Sequence, residues 1–349
     1  MAGRPDLGRR QVDQVQSVAN FKPFLIFMNV ERTRVTEVVF RDLLEQARLG
    51  KRELAPRLQK ALSRAYWEAL CPGLSVGRAG AWTPVDTTPV DSQSIAAATG
   101  HWMTAGYFQT APLIIDPALA HMRAATEALK REGWPPAFAF VYDPFWLVWR
   151  VPPLVELLSA TLGAGYRLIP HIWCYYVRPV RGAKGWPPHA DGYRLAKDRL
   201  TVWIPLTDAT LDNGCMYVIP RDIGARGVSI GRLSSAKTVS NEDVTHLLQS
   251  SRALPARAGS VLAWDFDVIH WGSTCQRAGE PRISISAEFL HENARPADDE
   301  TSVLDPTHPL PDFSDRLRLI AEAIVLYRKR EVRAFRYLEF AQRLLKEIS

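Results

Sequence analysis

The feature that most restricts the fold is a series of short strand-like runs in the second half of the chain. They are Tyr166–Val177, Arg199–Thr207, Cys215–Ile219, Ser260–Ile269 and Ile283–Leu290. Each is rich in β-branched and aromatic residues and is bounded by turn formers, above all Asp212-Asn213-Gly214, the pattern of a hairpin. Strands punctuated in this way after a helical preface predict an all-β core, a double-sheet sandwich or barrel, flanked by α-helices.

The preface reads as helix from Val35 to Leu70. Val38, Val39, Leu43 and Leu44, then Leu58, Leu62, Tyr66 and Leu70, recur at three- and four-residue spacing. Gly50 separates two helices, and Pro56 sits near the start of the second. Residues 72–95, rich in Pro, Gly, Thr and Ser, read as a connector. A strand over 105–115 then leads to Asp116 as N-cap and Pro117 as the first residue of a helix reaching about Arg131. Another short helix is expected from Pro153 to Leu162, stopped by Gly163 and Gly165. Over 312–348 the apolar positions Leu317, Ile320, Ile324, Tyr327, Phe335, Leu338, Phe340 and Leu344 predict one long C-terminal helix. Its Arg328-Lys329-Arg330 cluster reads as a solvated face. The expected organisation is an N-terminal helical extension and connector (1–95), a β core (96–300) and the C-terminal helix (301–349).

Composition removes several function classes. The net charge is +6 over 349 residues, with no concentrated basic stripe, so no nucleic-acid partner is expected. No apolar stretch is long enough to cross a bilayer, and the Arg-bearing N-terminus is followed by no apolar segment of the secretory type. Cys71, Cys174, Cys215 and Cys275 stand far apart with no CxxC pair, which favours a reducing compartment. A cytoplasmic protein with a small-molecule partner is the expectation. The terminal helices offer a surface for a homodimer, and the oligomeric state stays open.

The chemistry is concentrated in Trp186-Pro-Pro-His-Ala-Asp-Gly-Tyr193. His189 and Asp191 are two apart, so on extended backbone both side chains point to one face. One imidazole beside one carboxylate is two-thirds of a facial triad. His270, at the end of Val261-Leu-Ala-Trp-Asp-Phe-Asp-Val-Ile-His270, supplies the third ligand. Two histidines and a carboxylate leave the remaining positions of an octahedral ion open, the arrangement with which Fe(II) binds a co-substrate and O2. No thiolate joins the set, which argues against structural zinc.

Downstream, Pro281-Arg282-Ile283-Ser284 opens the next strand. Arg282 and Ser284 share a strand face, and a guanidinium fork with a hydroxyl beside it suits the distal carboxylate of 2-oxoglutarate.

Taken together these residues resemble the phytanoyl-CoA dioxygenase family of Fe(II)/2-oxoglutarate oxygenases. The likeness runs from about Thr99 to Leu290. Its pieces are Gly106-Tyr107-Phe108, Leu157–Gly163, Pro188-His-Ala-Asp-Gly192, Thr201-Val-Trp-Ile-Pro-Leu, Asp212-Asn-Gly-Cys-Met-Tyr-Val-Ile-Pro220, and Gly259 through His270 to Arg282 and Ser284. The resemblance implies a double-stranded β-helix, a jelly-roll variant, with Fe(II) on His189, Asp191 and His270. It implies 2-oxoglutarate on Arg282 and Ser284, and Trp203 against the co-substrate. It further implies release of succinate and CO2. An intact Asp191 favours hydroxylation over halogenation, in which family members have a small residue at the carboxylate position. No catalytic residue beyond the metal ligands is implied.

Two departures accompany the likeness. After Pro220 the family often continues Gly-Ser-His, whereas this chain has Arg221-Asp222-Ile223, and residues 1–95 match nothing in the family.

For the substrate, the residues that point toward the site are Tyr193 and Arg194 after the triad, with His171, Trp173 and Tyr175 alternating along the preceding strand. Aromatic walls suit a mostly apolar metabolite or natural-product intermediate, with Arg194 available for an acidic group. The segments around 75–105 and 221–258 are candidates for lids. Two other readings remain: a zinc hydrolase or isomerase on a cupin-like barrel, which would not need Arg282 and Ser284, and a non-catalytic scaffold.

Overall fold

The computed structural model describes residues 49–77, 86–115, 117–192, 198–224, 241–296, 303–306, 309–328 and 331–348. Several expectations fall outside them: the helix starting at Val35, the Asp116 cap, Lys329 and Arg330 of the basic cluster, and Tyr193 and Arg194.

The helices are α1 (Lys51–Leu62), α2 (Arg64–Leu70), α3 (Ser92–Ala105), α4 (Ala118–Arg131), α5 (Pro144–Leu147), α6 (Pro152–Leu162), α7 (Arg221–Gly224), α8 (Asn241–Ser250), α9 (Phe313–Tyr327), α10 (Val332–Arg336) and α11 (Leu338–Ile348). The strands are β1 (Tyr107–Pro112), β2 (Arg167–Val177), β3 (Arg199–Pro205), β4 (Met216–Ile219), β5 (Arg252–Leu254), β6 (Ser260–Asp265), β7 (Ile269–Gly272) and β8 (Arg282–Leu290). They form two antiparallel sheets, a five-stranded one in the order β1-β6-β3-β8-β2 and a three-stranded one in the order β5-β4-β7.

Strand β8 shows how the larger sheet is built. Ile283, Ile285, Ala287 and Phe289 enter the main hydrophobic core, where α4, α6 and α9 cover the sheet. The alternate residues Arg282, Ser284, Ser286 and Glu288 are also buried, so the strand has one apolar and one polar interior face. In β3 and β6 the same alternation sends Val202 and Ala263 to the main core. It sends Trp203, Leu262 and Trp264 to a second core with Met216, Val218 and Leu254 of the smaller sheet. The polar face of β8 therefore looks into the space between the sheets.

Four expectations are corrected. The strand expected over Ser260–Ile269 breaks at Asp265, where Val268 N donates to Asp265 O at 3.0 Å, and His270 belongs to β7 in the other sheet. Asp212-Asn213-Gly214 does form a turn, with Asn213 Oδ1 accepting from Thr210 N at 2.7 Å. That turn leads from β3 to β4 in different sheets, so the two strands are not a hairpin. The connector reading overlooked α3, which Asp91 caps through Ser94 N at 2.7 Å and which ends at Gly106 with φ 81°. The C-terminal helix is three helices, because the chain turns away after Tyr327 and again at Tyr337.

The terminal helices join the same core. Trp67 of α2 stacks on Phe138 at 5.4 Å, and Phe340 of α11 meets Trp134 edge-on at 5.8 Å. Arg316 of α9 is fully buried and pairs with Asp143 at 2.5 Å. The four cysteines are buried and free. Among the described residues no single helix is long and apolar enough to cross a membrane. The bent pair Pro144–Arg150 and Pro152–Leu162 is apolar because Phe145, Trp146, Trp149, Leu154, Leu157 and Leu158 pack inside the core.

Candidate metal centre

Two segments from different parts of the chain meet at the site. His189 N donates to His270 O at 3.1 Å and His270 N to His189 O at 2.9 Å, a short antiparallel bridge. The bridge sets the two imidazoles with centroids 4.3 Å apart. Asp191, two residues on, brings Oδ1 to 3.5 Å from His189 Nε2 and Oδ2 to 3.8 Å from His270 Nε2. All three donor atoms lie within 4.8 Å of one another.

The ring nitrogens are assigned by their partners. His189 Nδ1 lies 2.7 Å from Pro187 O, and His270 Nδ1 lies 3.0 Å from Val268 O. A carbonyl only accepts, so each Nδ1 carries the proton and each Nε2 presents its lone pair to the site. His189 Nε2 is buried and makes no hydrogen bond. A buried lone pair without a donor needs an explanation, and a cation between the three groups provides one.

Asp191 is oriented from the floor of the larger sheet. Its Oδ2 accepts from Thr201 Oγ1 at 2.8 Å and from Trp264 Nε1 at 3.2 Å. Burial pushes its carboxyl up, but attraction to the His270 and His189 rings in their protonated form and the Thr201 bond outweigh that, holding it far below the usual carboxylate range. An ionised carboxylate beside two imidazole lone pairs, with no thiolate, is a donor set that suits a divalent metal ion with open positions.

The same cavity is lined by Arg282, 2 % exposed. Its Nη1 donates to Ser284 Oγ at 2.8 Å, its guanidinium carbon lies 5.6 Å from the Trp203 ring centroid, and its Nε has no partner. No carboxylate pairs with it among the described residues. Burial lowers its pKa to about 10, against the pull of Tyr175 and Cys215. Gly185 and Gly272 pack so closely on the guanidinium that a Cβ on either would come within 3.0 Å of its Nη2.

The triad, Arg282 and Trp203 thus meet at one cavity, with Ser284 bonded to the arginine. Tyr175 lines it, its hydroxyl accepting from Ser286 Oγ at 3.3 Å. Trp173 and His171 are not among its lining residues: Trp173 packs edge-on against Tyr327 at 4.9 Å, and His171 bonds Glu288 Oε2 at 2.7 Å. Sequence reasoning missed Trp186, Thr201, Trp264, Ser286, Glu288 and Tyr327 in the wall. Thr201, Ser286 and Glu288 could have been found, because they alternate with core residues on strands whose other face was already assigned.

Residues 141–283 match the family model described as Phytanoyl-CoA dioxygenase (PhyH). The matched segment covers under half of the chain. It carries the triad and Arg282, while Ser284 and Glu288 follow just beyond it. No curated protein sequence matches the chain. Among solved structures, the chain is similar to apo ThoJ, described as a non-heme monooxygenase, at 14 % identity and TM-score 0.49, over 72 % of this chain and 99 % of that one. It is similar to the epimerase SnoN in complex with Fe3+, alpha ketoglutarate and nogalamycin RO at 17 % identity and TM-score 0.47, over 64 % and 95 %. It is also similar to HygX from Streptomyces hygroscopicus with nickel and 2-oxoglutarate bound, at 14 % identity and TM-score 0.44, over 61 % and 93 %.

Proposed function

We propose that the chain is an Fe(II)/2-oxoglutarate-dependent oxygenase that hydroxylates an unactivated C–H bond of a small molecule, its two sheets forming a double-stranded β-helix. The observation that carries the reading is Arg282, a buried cation without a carboxylate partner among the described residues, in the cavity that holds three convergent metal donors. A buried guanidinium is costly unless an anion compensates it. A dicarboxylate ligand reaching from the metal to the arginine meets that need.

In this reading His189, Asp191 and His270 hold Fe(II), and Arg282 with Ser284 holds the distal carboxylate of 2-oxoglutarate above Trp203. The iron with 2-oxoglutarate and O2 supplies the oxidising chemistry, with succinate and CO2 as co-products.

The chain's own part is orientation and exclusion of water. Thr201 and Trp264 fix the Asp191 carboxylate, and the rings of Trp186 and Trp264 flank His189 and His270 at 5.6 Å and 4.4 Å. Tyr175, Trp186 and Tyr327 give aromatic wall for an apolar substrate body. Glu288, held by His171, places a polar group along β8 on the far side of the two serines from Arg282. Tyr193 and Arg194, next in sequence to the triad, are proposed to complete the substrate side.

The test is succinate release from 2-oxoglutarate by the Fe(II)-loaded protein across a panel of small metabolites. Substrate-stimulated succinate that disappears in His270→Ala supports the reading. Metal binding with 2-oxoglutarate affinity unchanged in Arg282→Ala points to a hydrolase or isomerase instead, and absence of metal binding to a scaffold.

A further inference from the structure

The segment that delivers His270 is a turn between sheets. It closes with Val268 N on Asp265 O and touches both ligand-bearing segments. Phe266 O accepts from Gly192 N at 2.8 Å, the residue after Asp191, and a Cβ on Gly192 would come within 2.7 Å of the Phe266 ring. Val268 O is the partner of His270 Nδ1. Moving this turn therefore moves two of the three donors.

The turn is held from outside by charged groups that are not part of the donor cluster. The Asp265 side chain is fully buried; its Oδ1 accepts from Trp102 Nε1 of α3 at 2.5 Å and its Oδ2 from Arg221 Nη2. The same Arg221 nitrogen reaches Asp267 Oδ1 at 2.9 Å. Arg221 opens α7 directly after β4, whose Val218 and Ile219 pair with His270 and Ile269. One guanidinium thus ties the exit of β4 to the turn that precedes β7. It stands where the sequence departs from the resembled family pattern after Pro220.

A buried ion pair is weak evidence for stability, since apolar residues of similar volume do as well or better. What it can add is fixed geometry. We infer that Arg221, with Asp265, Asp267 and Trp102, is a positioning network that holds the Asp265–Val268 turn and through it aims His270 and Asp191 at a metal ion. The inference rests on the metal-centre reading above.

The test is anaerobic titration of the metal-free protein with Co(II), reading affinity and the visible d–d spectrum beside a thermal melt. Arg221→Met alone strands a buried carboxylate, so the informative variants are the double Arg221→Met/Asp265→Asn, which removes both charges, and Asp267→Asn, which leaves the buried pair intact. The double variant is expected to bind Co(II) roughly ten- to a hundredfold more weakly with a changed d–d band, as for lost partners of metal ligands. Asp267→Asn should show a smaller loss in the same direction, and Arg221→Lys should retain part of the wild-type affinity. Folded double and Asp267→Asn variants with wild-type affinity and spectrum overturn the inference, whatever their melting temperatures. Wild-type protein that takes up no Co(II), or His270→Ala that binds it unchanged, overturns the metal centre itself.

Discussion

His189 and His270 exchange two backbone hydrogen bonds, at 3.1 and 2.9 Å, so the main chain rather than the imidazoles holds the two segments together. Truncating either ring leaves that bridge in place. His189→Ala and His270→Ala are therefore expected to fold and, metal-free, to melt within a few degrees of the wild type. Each should lose divalent-metal binding in calorimetric titration. A folded variant that keeps full affinity would remove that histidine from the ligand set.

Arg282 sets function against stability. Its charge is buried without a carboxylate partner among the described residues, and its pKa falls to about 10 from 12.5 in consequence. The unfolded chain binds this proton more tightly than the folded one, so at neutral pH the charge favours unfolding. Arg282→Met should match or exceed the wild type in melting temperature without ligand, while losing the stabilisation that 2-oxoglutarate gives the metal-loaded wild type. Melting curves with and without 2-oxoglutarate read both effects at once.

Glu288 gives a pH signature. Burial raises its carboxyl above the ordinary 4.5, with His171 acting in the opposite direction. A carboxyl raised in the fold contributes stability that is present below its unfolded value and lost as pH rises through the raised one. Glu288→Gln stays neutral and can still accept from His171. Relative to the wild type, its melting temperature should rise between pH 4 and pH 8; a constant difference would contradict the assignment.

Arg316 and Asp143 join α9 to the segment before α5 through a buried pair that also bonds Val141 O and Gly77 N, each at 2.9 Å. Removing one member strands the other's charge. Arg316→Met is expected to cost about 3–5 kcal/mol in denaturant unfolding. The double variant with Asp143→Asn should recover much of that loss.

The strands of the larger sheet were legible because period-two alternation of apolar residues survives even where both faces are buried, as in β8. The Arg-x-Ser spacing was legible for the same reason, since it rests on β8, whereas His189 lies in an isolated bridge and Asp191 at a bend. The break at Asp265 was not, because Phe266, Val268 and Ile269 continue an apolar run and the turn is fixed by Arg221 and Trp102 from elsewhere in the chain. Helix α3 was obscured by small residues, Ala96, Ala97, Ala98 and Gly100, which leave little periodicity. Its Asp91 cap was a visible signal. At the C-terminal break the Tyr327 ring packs against Trp173 and Trp186, a relation between segments that local sequence does not encode.

The most direct measurement is an anaerobic titration of the metal-free protein with Fe(II) and 2-oxoglutarate, watching the visible charge-transfer band of the chelate. The account predicts a band at one equivalent of each, absent in His270→Ala and strongly right-shifted in 2-oxoglutarate concentration in Arg282→Met. Fe(II) uptake with no such band, or a band indifferent to Arg282, would contradict it.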